Sequence, residues 1–261
     1  MTIGMEVKIR KELNGVYTLW LRDLKRYVRA RSRIIGSLGM PVFFLAFLGM
    51  GFRRANIPSL EGMNYIDFLA PGIIAMVILF TGTFSGVSIV WDRQFGFLRE
   101  IMVSPISRTA ISIGRNFGGA TTAIIQGLMM FALSLLIGFR PNIYGIALAL
   151  VFMFLIAVSF TGLGIIISTL MEDIHGFQLV INFFVFPVFF LSGALYPLDE
   201  LPAYVRLVSY FDPLTYGVDG LRYSLTGFNE FNPALDLIVL IAFSIFAILF
   251  SAIRFSRTEV E

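Results

Sequence analysis

Apolar residues fall in six long blocks, and polar residues collect between them. The blocks cover about 34–52, 68–90, 111–139, 143–170, 177–195 and 235–254. Each supplies roughly the 20 residues that a helix needs to cross the hydrocarbon of a bilayer. Continuous apolar runs of this length read as helices rather than as strands of alternating polarity. The breakers and charges sit in the connections, such as Arg53, Arg54, Asn56 and Pro58 after the first block and Arg140-Pro141-Asn142 after the third. The pattern predicts an all-α integral membrane protein with six transmembrane helices over 34–254, an N-terminal segment over 1–33 and a tail over 255–261.

Two further segments have their own periodicity. In 1–33, Leu13, Tyr17, Trp20, Leu24, Tyr27 and Val28 recur at three- and four-residue steps, with Arg22, Lys25, Arg26, Arg29 and Arg33 on the opposite face. This predicts an N-terminal amphipathic interfacial helix whose rings and cations suit the headgroup layer. No short apolar core precedes a small-residue cleavage site there, so the first span is expected to act as an uncleaved anchor. Between the fifth and sixth blocks, Pro197, Pro202, Pro213 and Pro233 bound short stripes such as Leu201, Tyr204, Val205 and Val208. Asp212 and Pro213 form a helix start. These apolar half-turns predict outer re-entrant short helices, with a surface-lying cap as the competing arrangement.

Composition fits only a membrane protein. The chain is 57% hydrophobic and 14% charged, with a mean hydropathy of +0.83. A soluble fold of 261 residues has too little interior for that apolar surface. With the N-terminus inside, the inner segments 1–33, 91–115, 171–176 and 254–261 hold 15 Lys and Arg, Arg115 among them, against 5 outside, Arg222 among them. This predicts a multi-pass protein of a prokaryotic plasma membrane with both termini cytoplasmic, although the N-terminal block carries most of the bias. The basic residues are assigned to membrane lipids, and no nucleic-acid partner is expected. The spans hold almost no ionisable groups: Asp67 and Asp236 sit near span ends, and Gln126 is the strongly polar side chain of the third. That argues against ion-coupled transport and suits an amphipathic cargo on walls of Phe, Met and Tyr.

Several chemistries are excluded. The chain has no Cys, so it has neither disulfides nor thiolate catalysis. Lys occurs only at 8, 11 and 25, with no Gly-rich loop before it, so no Walker loop exists. His175 is the one His, which leaves no His-based metal site; local hydrogen bonding or a partner contact is its expected role. No metal, catalytic residue or cofactor is expected in this chain.

The loop from Trp91 to Arg108 is the longest polar insertion on the inner side. Gly96 permits a sharp turn; Phe97, Leu98 and Ile101 share a helical face beside Arg99 and Glu100; Pro105 ends the helix. Read from the residues alone, it is either a docking helix for a cytoplasmic partner or a connector lying on lipid. Glu172 and Asp173 form either a second partner contact or a cap on the fifth helix. Gly82–Gly86 and Gly114–Gly118 are small-xxx-small pairs for close helix packing, within one subunit or between two.

The run Asp92-Arg93-Gln94-Phe95-Gly96-Phe97-Leu98-Arg99-Glu100-Ile101-Met102-Val103-Ser104-Pro105-Ile106-Ser107-Arg108 resembles the signature of ABC-2 type permeases. Tyr65–Gly72 resembles that family's second-span start, and Leu191–Pro202 with Asp212–Arg222 resembles its outer loop. The likeness runs in order along nearly the whole chain and is nearest to drug-resistance, nodulation-factor and polysaccharide export permeases. It implies a cytoplasmic coupling helix at about 93–103 that sits in a cleft of a separate ABC ATPase. Arg93, Phe95, Gly96, Phe97, Leu98, Arg99, Glu100, Ile101 and Pro105, with Glu172 and Asp173, are the expected interface. Gln94 stands where the family usually has Glu. The resemblance further implies two permease copies as a homodimer, two ATPases holding ATP and Mg, and an exporter of drugs, lipids or lipid-linked glycans. An intramembrane binding or scaffold protein without an ATPase is the alternative. An intramembrane enzyme is more remote, because no acid, base and nucleophile share one depth.

Overall fold

A computed structural model describes residues 2–52, 58–60, 63–104 and 106–257. Among them the chain is helical, with no strand. The elements are α1 (Thr2–Arg29), α2 (Arg31–Gly51), α3 (Tyr65–Ser85), α4 (Val87–Gln94), α5 (Phe97–Val103) and α6 (Arg108–Ile137). They continue as α7 (Ile146–Leu170), α8 (Ile174–Val180), α9 (Phe186–Leu191), α10 (Ala203–Ser209), α11 (Pro213–Thr226) and α12 (Pro233–Ser256). Six stretches are long and apolar enough to cross a membrane: Ile34–Gly51, Tyr65–Gln94, Arg108–Ile137, Ile143–Leu170, Ile174–Leu191 and Pro233–Ser256. Arg53, Arg54, Asn56 and Pro105 lie outside the described residues, apart from their places in the sequence.

Local sequence sets the helix ends. Ser107 caps α6 by accepting from the Ala110 amide at 3.2 Å, and Gly138, at φ 113°, closes it. Asp212 caps α11 through the Leu214 amide with Pro213 next, and Asn232 with Pro233 opens α12 the same way. Residues 181–185 widen into a π-helical turn just before Pro187. Proline has no amide for the carbonyl four residues back and its ring crowds that carbonyl, so the wider turn makes room.

α3–α4 and α7 form the centre, with 67% and 72% of their membrane stretches buried against 22% for α2. They cross closely: a Cβ on Gly86 would meet the Gly164 carbonyl, and one on Gly164 would meet that of Thr83. Gly114 and Gly118 in turn admit Val16, Leu19 and Asp23 of α1. Both glycine pairs therefore serve packing within the subunit.

α1 runs beside the first part of α6 in the same chain direction. Gly15 meets Ile106, Trp20 Nε1 donates to Thr121 Oγ1 at 3.0 Å, and Tyr27 Oη donates to Gln126 Oε1 at 2.6 Å. Gln126 also donates to the Ile34 carbonyl and to Ser37 Oγ, which ties α1, α2 and α6 together. One edge of the amphipathic stripe is buried on α6, while Leu13, Tyr17 and Val28 stay exposed.

The connections segregate into two faces. At one, Ser107 donates to the Glu12 carboxylate, Arg108 to the Ser256 carbonyl and Arg93 to the Met171 carbonyl. At the other, the Arg140 amide donates to Asp67, the Asn142 amide to the Leu225 carbonyl and Tyr65 Oη to the Leu195 carbonyl. The second face also holds α10 and α11. α11 is wedged among α3, α7 and α12 rather than lying on the surface, and Gly220 takes the Phe152 ring against its backbone. α10 leaves Tyr204, Leu207 and Val208 exposed.

Two arginines counted as loop charges are buried in helices. Arg115 lies inside α6 at 3% exposure, and Arg222 lies in α11 at 1%. Arg222 stacks on Phe68 at 3.8 Å, donates to the Gly193 carbonyl at 2.8 Å and lies 3.9 Å from Glu230. The helical bundle thus holds more buried charge than its hydropathy suggests. The reason is pairing: a guanidinium with acceptors around it tolerates burial that an isolated one does not.

Candidate functional site

The polar loop between the second and third spans folds into a compact knuckle on the Glu12 and Ser256 face. α4 ends at Gln94, Gly96 turns the chain at φ 78°, and α5 starts one residue later. A left-handed φ here favours glycine. Ser104 then returns to extended backbone, which the following proline requires.

α5 has two unlike sides. Ile101 and, beyond the helix, Ile106 pack on a small cluster of Leu19, Ile89, Ile111, Ile165 and Phe255, which draws on five different helices. Phe95, Phe97, Glu100 and Val103 point outward, and Val103 is 85% exposed. The backbones of Leu98 and Arg99 belong to α5, while their side chains lie outside the described residues. Phe97 is thus exposed and Ile101 half-buried, so the shared face expected from spacing divides between core and surface.

The second expected patch adjoins the first. Arg93 Nη1 donates to the Met171 carbonyl at 2.9 Å, which pins the 171–173 turn to α4. Asp173 accepts from the Gly176 amide at 2.6 Å and so caps α8; Glu172 and His175 are exposed beside it. Of the two roles open to Asp173, the cap is realised. Arg93 Nε and Nη2 are buried without partners.

Behind the knuckle is a charge cluster that spacing does not reveal. Asp92 is 5% exposed. Its carboxylate accepts from Arg115, lies 3.3 Å from Arg22 Nη2 and is 4.0 Å from Arg26 Nη1. Arg115 also donates to Ser88 Oγ at 3.1 Å. Asp92 therefore joins the end of α4 to α1 and α6. The available signal was the acidic residue that opens the signature run. Its partners are 23 to 70 residues away.

Among the described side chains, the outward side of the knuckle shows Phe95, Phe97 and Val103 with Glu100 between them. Exposed aromatics bury well against a partner. Among the described residues no group of three His, Cys, Asp or Glu side chains is placed to hold a metal ion.

Comparison with known proteins agrees with this architecture. The family model described as ABC-2 type transporter matches residues 14–226. The inner membrane transport permease YadH of Escherichia coli (strain K12) is 26% identical over 231 residues, covering 87% of this chain and 88% of that protein. Nodulation protein J of Rhizobium leguminosarum bv. viciae is 25% identical over 242 residues, covering 92% and 93%. The transport permease ycf38 of Pyropia yezoensis is 31% identical over 214 residues, covering 77% and 70%. With six apolar helices and a family match across most of its length, this chain belongs to the ABC-2 type transporter family, as a multi-pass membrane transport permease.

Proposed function

We propose that this chain is the membrane-spanning subunit of an ATP-driven exporter, docked through α5 and the 171–173 turn onto a separate ABC ATPase. Permeases of the family generally pair with such an ATPase. The observation that carries the reading is the knuckle itself. It exposes Phe95, Phe97, Glu100 and Val103, while Ile101 and Asp92 root it in α1, α4 and α6. A docking helix must accept force and pass it on, and a rigid root serves that better than a loose loop. The two ATPases bind ATP and Mg, and their approach on binding ATP moves α5 relative to the spans. Two permease copies form the conduit, both termini face the cytoplasm, and the cargo is an amphiphile such as a drug, lipid or lipid-linked glycan.

The test is association with a candidate ABC ATPase subunit from the same organism, together with ATP hydrolysis in proteoliposomes. If Phe97 is an anchor of the interface, Phe97→Ala weakens association by roughly 30-fold, the cost of a lost hot-spot side chain of about 2 kcal/mol. Glu100→Arg, on the exposed side, leaves membrane insertion intact and lowers cargo-stimulated hydrolysis. If both variants associate and hydrolyse as the parent does, α5 is not the docking helix. Stable purification of the parent with no nucleotide-binding partner would favour a scaffold instead.

A further inference from the structure

The structure holds a cleft that the docking function does not use. It lies between the last turn of α1, α2, the α3–α4 rod and α6, and has a volume of about 700 Å³. α1 and α2 meet at Ala30, whose backbone leaves helical geometry and which lines the cleft. Its walls are hydrocarbon and aromatic rings: Met40, Met76, Val77, Phe80, Phe84 and Phe186. Its polar part is formed by Arg26, Arg115 and Asp23, with Thr122 and Gln126.

That part carries surplus positive charge. Of the charged residues lining it, Arg26 and Arg115 supply two positive charges and Asp23 one negative, a difference of one, while Asp92 and Arg22 behind them offset each other. Arg26 is the least engaged: its contact to Asp92 is 4.0 Å long and its side chain is 46% exposed. Arg115 is 3% exposed, and its Nε–H has no acceptor. A buried cation with an unused donor is costly until an acceptor reaches it.

Depth agrees with the charge. α6 has 30 residues, which makes it roughly 45 Å long, about 15 Å more than the hydrocarbon core. Arg115 stands eight positions into it, near the boundary on the Glu12 and Ser256 side, whereas the walls at Met76 and Phe80 reach back toward the middle of α3. The cleft thus has its charged groups near one membrane surface and mostly apolar walls inward from it, with Thr122 and Gln126 as deeper polar points, and its apolar walls favour acyl chains over water.

We infer that this cleft binds an amphiphile with an anionic headgroup, its phosphate or carboxylate held by Arg26 and Arg115 and its hydrocarbon laid along Phe80, Phe84 and Phe186. A bilayer phospholipid and an anionic lipid-like cargo share this chemistry. The cargo case rests on the exporter reading above; binding itself does not.

Native mass spectrometry of the purified permease, with phosphatidylglycerol or phosphatidylcholine added, tests the site without any ATPase. Phosphatidylglycerol is retained by the parent roughly tenfold more strongly than phosphatidylcholine, the size expected of one charge-assisted contact. Arg26→Gln, at a half-exposed position whose contact to Asp92 is 4.0 Å long, removes the preference, with thermal melting confirming an intact fold. Phe80→Trp fills the cleft and lowers retention of both lipids, with thermal melting confirming an intact fold. Equal retention of the two lipids by the parent, an unchanged preference in Arg26→Gln, or unchanged retention of both lipids in Phe80→Trp overturns the site. With the ATPase added, hydrolysis that rises with phosphatidylglycerol in the parent but not in Arg26→Gln identifies cargo. Retention with no change in hydrolysis identifies a resident lipid, and either result upholds the site.

Discussion

At the scale of single residues, the buried charges carry most of the consequence. Asp92 is the acceptor that three arginines of two other elements approach. Asp92→Asn removes the negative charge and leaves Arg115 buried without its ion pair, a change of the kind that costs about 3–5 kcal/mol. The expected outcome is a large fall in the melting temperature of the purified permease. Asp92→Leu combined with Arg115→Leu, which removes both charges, recovers much of that loss. If Asp92→Asn melts as the parent does, the cluster does not hold the fold together. Arg222 follows the same logic at the opposite face. Phe68 and two carbonyls replace its water, so a side chain normally found at surfaces lies in the middle of α11.

At the scale of elements, glycine decides which helices touch. On α6, Gly118 leaves space that the Asp23 side chain fills, with Asp23 Cβ 3.0 Å from where a Cβ on residue 118 would sit. Gly118→Leu must push α1 away and disturb the Asp92 cluster, at a cost of about 1–3 kcal/mol for overpacking. Gly36 on α2 meets nothing within 4 Å. Gly36→Ala therefore stabilises α2 by roughly 0.5–1 kcal/mol through helix propensity alone. Thermal melting of the two variants in one detergent tests the pair, and a destabilising Gly36→Ala would mean that another surface covers α2 there. The same element-level view explains α5. Its register puts Ile101 on the core side and Phe97 and Val103 outside, so a seven-residue helix is both anchored and available.

At the scale of the whole molecule, the two sets of connections give the fold its sides. Glu12, Ser107, Arg108 and Ser256 meet at one face, while Asp67, Arg140, Asn142 and Leu225 meet at the other. The chain has no Cys, so single cysteines report sidedness directly. Tyr144 is 97% exposed and Phe211 83%. Tyr144→Cys and Phe211→Cys should react with a membrane-impermeant maleimide in whole cells. Glu100→Cys should react only after lysis. Labelling of Glu100→Cys in intact cells would reverse the orientation drawn from the basic residues and remove α5 from reach of a cytoplasmic ATPase.

What could be read from the one-dimensional pattern follows from where its physics acts. Hydropathy, proline and caps are local, so the six spans, the Asp212–Pro213 helix start and the turn at Gly96 were legible in the residues. The signature run at Asp92–Arg108 also pointed to the knuckle. Pairing across the bundle was not legible. Arg115 and Arg222 look the same in a sequence whether they stand in a loop or in a core, because burial depends on partners brought from distant elements. The same holds for the cleft between α1 and α3. Its polar part is shared by Arg26 and Arg115, 89 positions apart, and only the packing of α1 along α6 brings them to one opening. The sequence by itself determined that the chain lives in a membrane and crosses it six times, because transfer free energy sums along contiguous residues. The tertiary structure decided which charges are paired, which face of α5 is free and where an amphiphile fits, because those properties depend on distances between residues far apart in the chain.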